Sequence, residues 1–502
     1  MSVPAIPTAL PAVEVSTTAP RAAPLAVLCR SGDPVPTPPA GYAELTAEWL
    51  SAVALTGKAG EIQPGPVGSA VRWLAGIGDG EPDQWRAAGA ALVRAVNARV
   101  ASDTEAGRPV ERTLRVDLPA DTGPDHVAEL VTGLRLGGYT FAVTGEPDKP
   151  RLRTIRLVTA DDRLAELSAA AHRSGVRAQA TGLARDLANM PSNIKDPAWL
   201  ARMATRTAGR APGVDVVVRD DQWLARNGFG GVLAVGGGST RPPRLVELTW
   251  GRRGAPHVVL VGKGITFDTG GISVKPADNM HLMRTDMSGG AAVIAAVEAI
   301  ARLEPDVRVT GLVPCAENHM SGTAYRPGDV VRHYGGRTTE VTNTDAEGRM
   351  VLADALAYAV DKLAPDVLVD VATLTGSMKI ALGLRTGGVF ATEDEVADRV
   401  LAAGEAVRER WWRMPLTADS GTVEAEFAEE VRSDIADVRQ CPPGAGGIAA
   451  ALFLREFTGG LPWAHLDIAG PARADRVYDE VTAGATGFAA RTLVELVAAY
   501  AR

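Results

Sequence analysis

The chain has 502 residues, with 52 Lys and Arg against 60 Asp and Glu and a formal charge of −8. That length predicts two or three domains at roughly 150 residues each, and the modest negative balance removes any whole-chain argument for nucleic acid or an anionic membrane. Three widely separated cysteines (Cys29, Cys315, Cys441) give neither a disulfide framework nor a CxxC zinc pattern, and no apolar run reaches the roughly 18 residues a membrane span needs.

Residues 1–24 are rich in Pro, Ala, Thr and Val without usable periodicity, and the expectation there is a flexible tail without a signal-peptide pattern. Residues 25–160 alternate short apolar runs such as AVRWLAGIG and RTLRVDLPA with the helix-like DQWRAAGAALVRAVNARV, which predicts an α/β domain. Residues 161–194 read as a helical connector, with Pro191 and Pro197 marking where the next unit begins.

From 195 to 502 the alternation sharpens. VDVVV (214–218), HVVLVG (257–262), VRVTGLV (307–313), DVLVDVAT (366–373) and AHLDIAG (464–470) are predicted buried strands. Between them, GGAAVIAAVEAIARL (289–303) and MVLADALAYAVDKL (350–363) are predicted helices, each closed by a following Pro. The predicted fold class is α/β: a mixed, largely parallel sheet flanked by helices, preceded by a smaller α/β domain. Ligands in such sheets sit outside the carboxyl ends of the strands.

Three segments carry charged residues to those ends. VGKGITFDTGGISVKP (261–276) supplies Lys263, Asp268 and Lys275 in a glycine-rich loop, which lacks the GxxxxGK[ST] and GxGxxG patterns of nucleotide sites. MRTDMSGGAAV (283–293) supplies Asp286, and NTDAEGRMVLADAL (343–356) supplies Asp345, Glu347 and Arg349. Singly, each acid is an ordinary turn former or helix-entry residue. Together, four carboxylates in one crevice would repel unless a cation neutralised them, and two divalent ions sharing carboxylates would do so. The seven histidines show no HExxH or paired spacing; His257 and His465 read as core residues. Cys315 and Cys441 also read as core packing.

These segments, with DVATLTG (370–376), SDIADVR (433–439) and PWAHLDIAGPA (462–472), closely resemble the leucyl aminopeptidase (cytosol aminopeptidase) family over essentially all of 195–502. The resemblance is weaker upstream, in LVTGLRLGGYTF (130–141) and ARDLANMPSN (184–193). It implies a cytoplasmic two-zinc or two-manganese peptidase, with the catalytic domain behind a macro-like domain, assembled as a homohexamer. It acts on peptides with a free N-terminus, preferably Leu or a similar apolar residue, and no membrane or nucleic-acid partner is expected.

Carried over by position, Asp268 and Glu347 bridge the metals, Asp345 completes one site with its own carbonyl, and Lys263 and Asp286 complete the other. A hydroxide between the metals is then the nucleophile, Lys275 stabilises the oxyanion, and Arg349 holds a bicarbonate ion as general base. Met283, Asn343, Thr373, Leu374 and Gly376 match positions near the substrate. Arg284 stands where members commonly carry Lys, and ENHMSG (317–322) departs from an ENMPSG-like turn. Two rival readings are a DNA-binding accessory or regulatory protein on the same fold, with RLRTIR (151–156) as its only short basic run, and a catalytically dead homologue.

Overall fold

A computed structural model of the chain describes residues 5–20, 22–32, 36, 41–143, 151–416, 431–442, 444 and 446–501. These form two compact units, residues 1–182 with 475–483, and residues 183–474 with 484–502. No helix among the described residues is long and apolar enough to cross a membrane.

The first unit holds a six-stranded sheet built from β1 (Ala12–Ser16), β2 (Leu25–Cys29), β3 (Ile62–Pro64), β4 (Val71–Gly76), β5 (Thr113–Asp117) and β6 (Thr154–Val158), in the order β1-β6-β5-β2-β4-β3. All its neighbours pair parallel except β3 with β4. The helices Pro82–Glu105 and Pro124–Leu136 each place a proline in the first turn, where a missing N–H costs nothing. They bury Trp85, Leu92, Val93, Leu130 and Leu134 in one core with Leu28, Leu114 and Ile155 of the sheet.

The expected tail at 1–24 is corrected here. Residues 12–16 are an edge strand parallel to β6, Ala12 opposite Thr154 and Ser16 opposite Val158, with Val13 and Val15 packed on the core. A five-residue strand between prolines has too short an alternation to stand out from its Pro-rich surroundings. Residues 1–4 and 21 of that stretch lie outside the described residues. The basic run RLRTIR leads into β6, and its Arg156 pairs with Glu14 at 2.7 Å. The expected connector 161–194 is largely one helix, Leu164–Asn189, and the division between units falls inside it.

The second unit is organised on a nine-stranded sheet. Its strands are β7 (Asp215–Arg219), β8 (Arg244–Trp250), β9 (His257–Gly262), β10 (Gly264–Asp268) and β11 (Arg308–Asn318), then β14 (Val367–Ala372), β15 (Thr386–Ala391), β16 (Arg410–Arg413) and β18 (Trp463–Asp467). Three short strands, β12 (Val330–Arg332), β13 (Thr338–Glu340) and β17 (Val438–Arg439), form a separate small sheet. The large sheet runs β16-β15-β18-β14-β9-β11-β8-β7, with β10 beside the end of β11. Strands β9, β10, β11, β14 and β18 are mutually parallel, while β8 runs against both β11 and β7, and β15 runs against β18 but parallel to β16.

β9, β14 and β18 are buried along their whole length, as expected for strands covered on both faces. The helix Ser288–Leu303, buried nearly all round, ends at Glu304 in a left-handed conformation just before Pro305. The helix Glu347–Leu363 ends the same way at Ala364 before Pro365. His257 and His465 are core residues as expected: His257 Nε2 lies 2.9 Å from Thr310 Oγ1, and His465 Nδ1 lies 2.6 Å from Asp370 Oδ1. Cys315 is buried, whereas Cys441 is only half-buried.

Candidate active site

The five parallel strands end together, and the residues at their carboxyl ends converge. Lys263 follows β9, Asp268 ends β10, Asn318 ends β11, Thr373 follows β14 and Asp467 ends β18. Lys263 is held in place by its own backbone, its N–H donating to Val371 O at 3.0 Å. Its Nζ lies 2.9 Å from Asp286 Oδ1 and 2.9 Å from Glu347 Oε1, and donates to Thr373 O at 3.0 Å.

Asp286 caps the short 3₁₀ helix Met280–Thr285, and Glu347 opens the helix Glu347–Leu363, where the positive end of the dipole favours an anion. Asp268 accepts from Gly270 N and from Asn318 Nδ2, both at 2.8 Å, through Oδ1, while its Oδ2 meets Lys275 Nζ at 2.8 Å. Lys275 also pairs with Asp345. Ligand atoms of Asp268, Asp286 and Glu347 lie within 4.8 Å of one another, and all three side chains are buried. Asp286 Oδ2 has no hydrogen-bond partner among the described residues.

Burial, then the charge of Asp268, pushes the Glu347 carboxyl up to about 8, and burial with Asp268 and Glu347 pushes Asp345 up to about 7. Asp286 is also raised, first by burial. Burial works against the Lys263 and Lys275 ammonium groups, but the surrounding carboxylates outweigh it and both are raised. The electrostatics of the crevice thus favour a cation: buried acceptor oxygens crowd until protonation competes with charge. No histidine joins this cluster among the described residues.

Arg349 lies in the first turn of the helix that Glu347 opens, buried, with Nη1 donating to Gln440 O at 2.7 Å and Nε without a partner among the described residues. A guanidinium against the helix dipole, with a free donor, is a place for a small anion. Six of the seven charged residues expected from the sequence are thus joined by ion pairs, and Arg349, two residues beyond Glu347, feels its charge.

The five expected substrate-side residues are placed less uniformly. Thr373 Oγ1 donates to Asp286 Oδ1 at 2.7 Å, so it orients that carboxylate. Asn343 Oδ1 accepts from Asp345 N at 2.9 Å and shapes the acidic loop. Met283 and Leu374 are half-buried apolar side chains, and Gly376 is exposed at the start of the helix Gly376–Leu382.

Other residues of the crevice went unread in the sequence. Asn318 bridges Asp268 to Thr344 O, and Gln440 binds Thr342 N, Asn343 N and Ala346 O with its amide. Asp467 accepts from Thr375 N at 3.1 Å and Thr375 Oγ1 at 2.6 Å, fixing the turn after β14. Asp467 could have been found as the one acid inside the predicted buried strand 464–470, whereas Asn318 falls five residues beyond the predicted strand 307–313. Gln440 has no such signal.

A catalytic-domain model of the cytosol aminopeptidase family matches residues 182–494. A probable cytosol aminopeptidase of Corynebacterium efficiens is 46% identical over 381 residues, 73% of this chain and 72% of its own length. One from Nocardia farcinica is 42% identical over 461 residues, 89% of this chain and 87% of its own. Among solved structures, the bottromycin maturation enzyme BotP is similar with a TM-score of 0.80 and 38% identity, over 95% of this chain and 99% of that one. The same enzyme in complex with Mn gives a TM-score of 0.79 at 38% identity, over 97% and 99%. With the family model spanning well over half of its length, the chain belongs to the cytosol aminopeptidase family.

Proposed function

We propose that this metal-dependent aminopeptidase removes N-terminal residues, preferably Leu or similar apolar ones, from peptides using two divalent ions, Zn²⁺ or Mn²⁺, held in the carboxylate crevice. The observation that carries the reading is the convergence of buried Asp268, Asp286 and Glu347 around an unpartnered Asp286 Oδ2. The donor set fits: hard carboxylate oxygens and one amine suit either ion. Mn is the ion in the complex of BotP.

Asp268 and Glu347 would bridge the ions, Asp345 with its own carbonyl would complete one site, and Lys263 with Asp286 would complete the other. When bound, the ions supply Lewis acidity and lower the pKa of water toward about 7. Lys263 ligates only as a neutral amine, so loading the site displaces the proton that Asp286 and Glu347 hold there. Lys275 stays charged and is carried by Asp268 and Asp345 to the rim, where it would stabilise an oxyanion. Arg349, with its unpartnered Nε, would hold bicarbonate, which supplies a proton acceptor when bound.

Met283 and Leu374 offer an apolar wall to the first side chain, and the substrate's free amine would complete the coordination, which restricts cleavage to the N-terminus. Thr373, Asn343 and Gly376 frame the entry. The resemblance over 195–502 supports a cytoplasmic location and a homohexamer, and its weaker part upstream supports a macro-like first unit.

The test is hydrolysis of leucinamide and its N-acetyl analogue before and after metal stripping. Cleavage of the free amine alone, lost on stripping and regained with Zn²⁺ or Mn²⁺, is the expected result. Turnover that survives complete metal removal, or equal cleavage of the acetylated compound, would overturn it.

A further inference from the structure

Lys195 belongs to none of the groups above. Its side chain is fully buried, and its Nζ donates to three backbone carbonyls: Leu187 O at 3.1 Å, Ala188 O at 2.9 Å and Arg284 O at 2.5 Å. An ammonium carries three protons, so three acceptors satisfy it completely. Leu187 and Ala188 lie in the last turn of the helix Leu164–Asn189, where carbonyls lack intrahelical partners and the dipole favours a cation. Arg284 lies in the 3₁₀ helix Met280–Thr285, two residues before Asp286.

The lysine is itself anchored. Its N–H donates to Pro191 O at 2.9 Å, and the next residue, Asp196, caps the helix Pro197–Thr207 through Trp199 N at 2.6 Å. Burying a charge is costly, and simple capping of an exposed helix end does not require it. What the third bond adds is a tie from a helix terminus to the 3₁₀ turn that carries both Met283 and Asp286. Burial, then the Arg284 charge, lowers the Lys195 pKa well below the ordinary lysine value, with Asp286 opposing, so the hold on the turn rests on the three carbonyl contacts.

We propose that Lys195 is a positioning residue: a tethered internal donor that locks the Met280–Thr285 turn, so that Asp286 keeps its Oδ2 free for a metal and Met283 keeps its place on the substrate wall. The inference rests on Asp286 being a metal ligand. Lys195→Met preserves the length and removes every donor, and Lys195→Gln keeps part of the donor set.

Wild type and both variants would be titrated with Zn²⁺ and with Mn²⁺ against a chromophoric chelator, and KM for leucinamide measured at metal saturation. Wild type should take up two ions. In Lys195→Met one site should weaken about tenfold or more, the other should hold, and KM should rise more than kcat falls. Lys195→Gln should lie between, and it decides the matter alone if the Met variant does not fold. Two sites of wild-type affinity and an unchanged KM, with only the melting temperature lowered, would reduce Lys195 to a helix cap and overturn the proposal. A wild type that binds no ion would overturn the reading of the site itself and this inference with it.

Discussion

At the scale of single residues, the crevice is a balance between carboxylates that repel and lysines that fill the space between them. Glu347 rises from 4.5 to about 8 and Asp345 from 3.8 to about 7 without metal. Between roughly pH 4 and 8 the folded chain therefore holds protons that the unfolded chain has released, and stability falls as pH rises through that window. The raised Lys263 and Lys275 contribute fully below their unfolded value of 10.5 and stay constant there. Divalent ions held there, as proposed, would remove the penalty by replacing the protons. Thermal denaturation with and without a chelator should give two curves that converge near pH 5 and separate toward pH 8, the metal-loaded form being the more stable. Parallel curves would show that these carboxylates do not carry the ions. The seven charged residues were legible because three short segments concentrate them at strand ends. Asn318 and Gln440 were not, since a side chain that acts through hydrogen bonds to one loop leaves no spacing pattern.

At the scale of elements, the helix Glu347–Leu363 shows how packing overrides propensity. It begins Glu-Gly-Arg, although alanine at the second position would favour the helix by up to about 1 kcal/mol. A Cβ on Gly348 would lie 2.5 Å from Lys263 Cε, 2.8 Å from its Nζ and 2.9 Å from Leu374 Cδ1. Lys263 cannot swing aside without leaving Asp286, Glu347 and Thr373 O. The glycine is therefore room for a ligand. Gly348→Ala should keep the fold and its helix content but weaken metal binding by about tenfold or more, read by the same chelator titration. Wild-type affinity would mean that Lys263 is not held as described. β9, β11, β14 and β18 were readable because burial on both faces writes continuous apolar runs, whereas 214–218, expected to be buried, forms the largely exposed last strand β7 of the sheet. The small sheet β12-β13-β17 was not readable, because strands of two or three residues carry no periodicity.

At the scale of the whole molecule, the N-terminal segment separates composition from structure. Its prolines and threonines suggest a tail, yet β1 covers the edge of β6 along five residues, and Ile6 is buried. An uncovered β6 would present its own unpaired edge, which destabilises a sheet and invites association. Burial of Val13 and Val15 against the core adds stabilisation on the order of 2 kcal/mol. Deleting residues 2–20 should therefore lower the melting transition of the first unit and increase aggregation. Metal uptake, whose proposed ligands all lie in the second unit, should not change. Calorimetry beside the chelator titration reads both effects on one sample. An unaltered melting profile would return the segment to a tail, and lost metal binding would show that the catalytic crevice depends on the first unit's edge strand.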